Sequence, residues 1–197
     1  VKIGGCEAKS DINSCIKLGV DSVIAPMIET SFAMEKYLGT VDDINKIKMM
    51  FVCETKTASQ NIESILNVSN SNKLDGLVFG RSDFTKSLGL SKSEVDTEII
   101  NQHVEKVLRI AKDKNLRTTM GGNISTKSSE FIKRMYRSNI LDKIETRNVV
   151  IELNDKNIND LQKTIRKVLD FESEWLRYKA KHHSEISEDC IYRAALL

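Results

Sequence analysis

An α/β fold built on a parallel sheet is what this 197-residue sequence predicts, and two observations carry the prediction. Short runs rich in β-branched and other apolar residues alternate with longer segments whose apolar residues recur at three- and four-residue spacing, the pattern of strands joined by crossover helices. Two of the strand candidates, moreover, deliver a carboxylate or a glycine-led turn directly at their carboxyl ends. With 40% hydrophobic and 29% charged residues the chain can bury one substantial core, and it is too short for two comfortable domains.

Six strand candidates follow in order: residues 1–3, 22–25, 50–53, 76–79, 117–120 and 148–153. The first leads into Gly4-Gly5 and the fifth into Gly121-Gly122, positions where a loop after a strand needs backbone freedom. Pro26, the only proline, closes the second strand, where its missing donor is tolerated. Helices are expected over residues 10–18, 59–66, 99–114 and 128–138, with Asp11 and Ser59 as caps. Residues 157–181 read as one long helix whose stripe is Ile158, Leu161, Ile165, Val168, Leu169, Trp175 and Leu176. Glu145 and Arg147 precede the last strand, so they are expected as a structural ion pair inside or beneath the sheet.

Thirty basic against 28 acidic residues, spread along the chain, leave a formal charge of +2 and no basic footprint for nucleic acid or an anionic membrane. No apolar run approaches the ~20 residues of a membrane span, and the first residues lack a signal pattern. Cys6, Cys15, Cys53 and Cys190 show no C-x-x-C spacing, which disfavours a zinc site and fits a reducing compartment. The expectation is a soluble cytoplasmic protein.

Function is legible where strands end. The run at residues 49–55, MMFVCET, delivers Glu54, and the run at residues 74–90, LDGLVFGRSDFTKSLGL, delivers Asp83. Neighbouring parallel strands lie about 4.8 Å apart, so two such carboxylates can share one hard cation, Mg²⁺ or Mn²⁺, and leave coordination sites for water and substrate.

Together with KIGGCEA (residues 2–8) and VIAPMIET (residues 23–30), these segments resemble the HpcH/HpaI aldolase and citrate lyase family. The resemblance implies a (β/α)8 TIM-type barrel and a metal-dependent carbon–carbon lyase acting on a keto acid or acyl-CoA derivative, with Glu54 and Asp83 as metal ligands. Six strands do not close eight, so the barrel is expected to lack its first two β/α units, with residues 1–156 as its partial, catalytic portion. Residues 157–197 form a C-terminal helical extension that either packs on a neighbouring subunit of a homo-oligomer or folds back on its own barrel. Backbone N–H groups of Gly80, Arg81 and Ser82 are expected to hold a substrate carboxylate, and the Arg81 side chain to contact substrate or a coenzyme A phosphate. Glu29, and similarly Glu7, stand as supports for the metal or its water. Lys2 occupies the place where many members carry an enolate-stabilising Arg, and a lysine lacks the arginine's fork. His103, His182 and His183 are expected on the surface, which leaves the acid/base unassigned. The alternative is a catalytically inactive barrel relative that serves assembly or ligand sensing.

Overall fold

The computed structural model describes residues 1–41, 46–182 and 187–197, so His183 lies outside the described residues. A six-stranded mixed sheet curls into a half-barrel, its strands adjacent in space in the order of the sequence. They are β1 (Ser22–Ala25), β2 (Lys48–Cys53), β3 (Leu74–Gly80), β4 (Arg117–Gly121), β5 (Lys143–Glu145) and β6 (Val150–Glu152). From β1 to β5 every pairing is parallel, and β6 runs antiparallel to β5. Residues 1–3, expected as a full strand, contribute one parallel bridge between Lys2 and Ile24 at the β1 edge.

Parallel neighbours require the chain to return to the same end of the sheet, and helices make the return. They are α1 (Lys9–Lys17), α2 (Ser31–Leu38), α3 (Lys56–Gln60), α4 (Ile62–Leu66), α5 (Arg81–Ser87), α6 (Glu98–Asp113) and α7 (Ser129–Arg137); α8 (Asp155–Asn159), α9 (Leu161–His182) and α10 (Ser187–Ala195) follow the sheet. Buried on both faces, β2 and β3 read as continuous apolar runs: Phe51, Val52 and Cys53 in one, Leu77, Val78 and Phe79 in the other. In α6 the buried residues Ile100, Val104, Val107, Leu108 and Ala111 make the helical stripe that covers this sheet.

Several local expectations are corrected. Ser59 caps nothing; it is buried inside α3, and Thr55 caps that helix by accepting from the Ala58 N–H at 3.1 Å. Thr30 caps α2 in the same manner through the Ala33 N–H. Asp11 lies within the first turn of α1, and its carboxylate accepts from the Gly4 N–H at 2.8 Å, which fastens the Gly4-Gly5 turn. The expected single strand at 148–153 is the second half of a hairpin: Glu145 pairs with Val150 across a turn, and the parallel strand is the three-residue β5 before it. A β5 this short carries only one buried apolar residue, Ile144, so the stronger apolar run of β6 drew the assignment forward.

His103, expected on the surface, is only partly exposed. Its ring tilts against Phe84, centroids 5.0 Å apart, and its Nδ1 lies 3.4 Å from the Ser59 hydroxyl. Burial, and then the charge of Lys106, push its pKa down. The unfolded chain takes up a proton near pH ~6.5 that the folded ring resists, so this histidine's contribution to stability is present above that pH and is lost as the pH falls through the lower folded value. Denaturation between pH 5 and 8 should show His103→Gln losing less stability on the acid side than the wild type. Coincident slopes would mean that the ring is solvated.

Past the sheet, Ile158, Leu161 and Ile165 of α8 and α9 enter the main core, with Val168 and Leu169 packed at its edge. Glu172 is buried and ties α9 to the β5–β6 turn: one carboxylate oxygen accepts from the Thr146 hydroxyl and the Asn148 N–H, both at 2.7 Å. Leu176 then joins Cys190 and Ala194 in a small second cluster, while Phe171, Trp175 and Tyr178 face outward, the last two stacked at 5.8 Å. No helix among the described residues is long and apolar enough to cross a membrane.

Candidate active site

The sheet's carboxyl end has a floor of two glycines. Gly80, the last residue of β3, pairs with Gly121, the last of β4. A β-carbon on Gly80 would stand 3.0 Å from Cβ of Glu54, and one on Gly121 would stand 2.7 Å from Cγ of Glu145 and 2.8 Å from its Oε1. Glu54 follows β2 and Glu145 ends β5, so the two carboxylates lean inward from the flanking strands over glycines that leave them room. Glu145 is therefore part of this face, contrary to the expected structural ion pair with Arg147. The signal that could have found it is the Glu-Thr step at a strand end, which Glu145-Thr146 shares with Glu54-Thr55.

Glu54 is 4% exposed and held from two sides. Lys2 Nζ donates to Oε2 and the Met27 N–H to Oε1, each at 3.1 Å. Met27 was not foreseen. It follows Pro26 with a φ of 56°, a left-handed conformation that is costly for a non-glycine residue and that accompanies the aim of its amide at Glu54. The Lys2 side chain keeps 53% exposure, so its ammonium bridges the buried carboxylate and the open mouth.

The expected Gly-Arg-Ser-Asp turn is instead a direct entry into α5, with Gly80 as its N-cap. Asp83 lies in the first helical turn, exposed, with no hydrogen bond or ion pair to any described residue. Ser82 is partly buried, and its backbone N, with that of Arg81, packs against Gly122, where a β-carbon would stand 2.5 Å from the former and 2.8 Å from the latter.

Arg81 requires a correction. Its side chain has no exposed surface, and Nη1 binds Asp96 at 2.7 Å and the Val95 carbonyl at 3.4 Å. Nη2 binds the Asn123 carbonyl at 3.2 Å and Ser128 Oγ at 3.1 Å; only Nε lacks a partner. A guanidinium used in this way has no face for a substrate, and it serves to clamp the loops that follow β3 and β4. Burial lowers its pKa and Asp96 works against that shift. Glu29 accepts from the Thr55 hydroxyl at 2.6 Å and so braces the residue next to Glu54. Glu7 is exposed and pairs with Lys36 at 3.6 Å, away from Glu54.

Glu145 is half-buried and has no hydrogen bond or ion pair with a described residue. Burial raises its pKa and Glu54 adds to the rise, while Lys2 opposes it. A cavity of about 600 Å³ that Glu145 does not line is bounded by Lys92, Asn123, Arg147, Tyr192 and Arg193. A separate cavity of about 700 Å³, lined by Arg117, Lys143 and Asp142, lies at the amino ends of β4 and β5, away from these carboxylates.

The donor chemistry fits a hard divalent cation. Glu54 has one hydrogen bond per carboxylate oxygen and a lone pair left on each, Asp83 is uncommitted, and both are oxygen donors. Among the described residues no group of three or more histidine, cysteine, aspartate or glutamate side chains could hold a metal, so these two carboxylates would be the protein's share of the ligands.

Glu54 and Glu145 stand at the carboxyl ends of parallel strands, the end of the sheet where β/α folds carry their functional residues. The chain belongs to the HpcH/HpaI aldolase/citrate lyase family, whose sequence pattern matches residues 6–133. No curated protein matches the sequence. Among solved structures it is similar to RipC from Yersinia pestis, at 14% identity and a TM-score of 0.59 over 82% of this chain and 74% of that one. It is also similar to an HpcH/HpaI aldolase from Desulfitobacterium hafniense DCB-2, at 16% identity and a TM-score of 0.59 over 87% and 70%. The citrate lyase beta subunit from M. tuberculosis, complexed with oxaloacetate and magnesium, matches at 13% identity and a TM-score of 0.57 over 84% and 71%.

Proposed function

We propose that the protein is a divalent-metal-dependent carbon–carbon lyase or aldolase that acts through the enolate of a keto acid or acyl-CoA derivative, on a TIM-type barrel of which this sheet is a part. The observation that carries the reading is the buried, doubly held Glu54 on β2 beside the strand that leads to Asp83. These two residues would hold Mg²⁺ or Mn²⁺, which when bound supplies Lewis-acid polarisation of a substrate carbonyl.

The remaining work falls to the chain. Met27 and Lys2 keep the Glu54 carboxylate oriented, and Glu29 steadies Thr55 beside it. The half-exposed Lys2 ammonium is free to meet negative charge on the substrate as it develops, as a point charge and not a fork. Amides at Gly80 and Ser82 lie next to the floor, where a substrate carboxylate can be received. The outward aromatic face of α9, Phe171, Trp175 and Tyr178, supports assembly into a homo-oligomer through residues 157–197.

The test is exchange of pyruvate methyl protons with deuterated water, followed by proton NMR with Mg²⁺ or Mn²⁺ present. Glu54→Gln and Asp83→Asn should each lower exchange and Mn²⁺ affinity together by about 10- to 100-fold or more, since even the partners of metal ligands are worth that much. Exchange undiminished in both variants would sink the metal mechanism. No exchange with normal Mn²⁺ binding would favour an acyl-CoA substrate or the non-catalytic alternative.

A further inference from the structure

The lyase reading leaves one role unfilled, because making an enolate from pyruvate requires a group that takes a proton from carbon, and quenching an enolate after cleavage requires a group that returns one. The residues around the glycine floor are mostly committed. Glu54 binds Lys2 and the Met27 amide, Glu29 binds Thr55, and Arg81 is closed within the interior. His103 packs beneath α5 against Phe84. Asp83 is exposed and is already assigned to the cation.

Glu145 differs from all of these. It ends β5 on the carboxyl side, its side chain lies over Gly121, and no described residue bonds its carboxylate. Glu54 reaches over Gly80 from the other side, and Gly80 and Gly121 are paired neighbours, about one strand spacing of ~4.8 Å apart. A small substrate resting on that floor has the proposed cation site on the β2 side and the Glu145 carboxylate on the β5 side.

We propose that Glu145 is the acid/base of this site, the carboxylate that exchanges a proton with the carbon next to the substrate carbonyl. The assignment rests on the lyase reading above. In the forward step a Glu145 oxygen takes the proton, the carbon–hydrogen bond breaks, and its electron pair becomes the carbon–carbon double bond as the carbonyl pair moves onto oxygen. In the return step the Glu145 carboxylic acid protonates that carbon, and the oxygen's pair re-forms the carbonyl. In carbon–carbon cleavage Glu145 takes the proton of the substrate hydroxyl, the O–H pair forms the new carbonyl, the carbon–carbon bond breaks with its pair passing into the enolate, and Glu145 then returns that proton to the enolate carbon. No oxidant or further reactant is needed.

The experiment uses the full-length protein, pyruvate and Mn²⁺, with the substitution Glu145→Gln, which keeps the side chain's shape. Methyl-proton exchange should fall by at least about 100-fold, the usual worth of a positioned acid or base, while Mn²⁺ affinity by titration calorimetry stays within roughly threefold. In Glu145→Ala, added formate should restore exchange in proportion to its concentration, which a structural role would not allow. Exchange in Glu145→Gln near the wild-type rate overturns the assignment, as does a matching loss of Mn²⁺ affinity or a failure of formate to restore anything. A wild-type protein that binds Mn²⁺ and exchanges nothing removes the keto-acid reading first and this assignment with it, an outcome distinct from active wild type with an active variant.

Discussion

Replacing Arg81 by leucine should lower the melting temperature by roughly 10 °C or more. Breaking a buried ion pair by removing one member typically costs about 3–5 kcal/mol, and a domain of 150–250 residues loses about 2–4 °C per kcal/mol. Here the loss leaves Asp96 without its cation, and it also strands the Asn123 carbonyl and removes a donor from Ser128. Ser128 would keep its own bond to Asp96 at 2.7 Å, which moderates the effect. Arg81→Lys should recover only part of the loss, because one ammonium cannot reach acceptors that are spread over two fork ends. Calorimetric melting of the three proteins reads the result directly. A shift within a degree or two for leucine would show that the guanidinium is solvated and available after all.

Gly122→Ala should be nearly as harmful, through the backbone. Gly122 has a φ of +84°, which in an L-residue costs about 1–2 kcal/mol, and its new β-carbon would meet the backbone nitrogens of Ser82 and Arg81. Those atoms open α5 and cannot rotate aside. Gly89 supplies the control, with a φ of +76° and nothing within 4 Å of an added β-carbon. Its alanine variant should bear the conformational cost alone, so Gly122→Ala is expected to be the less stable of the pair by about 2 kcal/mol or more in denaturant titration. Equal losses would mean that the contact with α5 is not made.

Much of the fold was readable because parallel strands buried on both faces are apolar throughout and helices keep a visible stripe. Residues 22–25 were placed without error, and the 99–114 helix within one residue at either end. Long-range partners were not readable. That Arg81 turns inward depends on Asp96 and Ser128 arriving from other loops, and the aim of the Met27 amide depends on a left-handed residue that no local pattern announces. Glu145 is hidden for a different reason: the hairpin conceals a short parallel strand, so the local pattern presents a strand's end as the entry to the next. Glu54 and Asp83 stood out from the start because each follows a long apolar strand whose end is unmistakable.

The Glu172 link between α9 and the β5–β6 turn bears on how separable the parts of this protein are. A helix that supplies the acceptor for the Thr146 hydroxyl and the Asn148 amide sets the shape of the turn directly after Glu145. The C-terminal helices are thus not a cassette that can be cut away or exchanged with a relative's. A graft would have to bring its own carboxylate to the same place or leave the Asn148 amide without that acceptor, in the turn that follows Glu145. Divergence along α9 is constrained on the side that carries Glu172, so a helix that looks peripheral has one position that must evolve in step with the sheet.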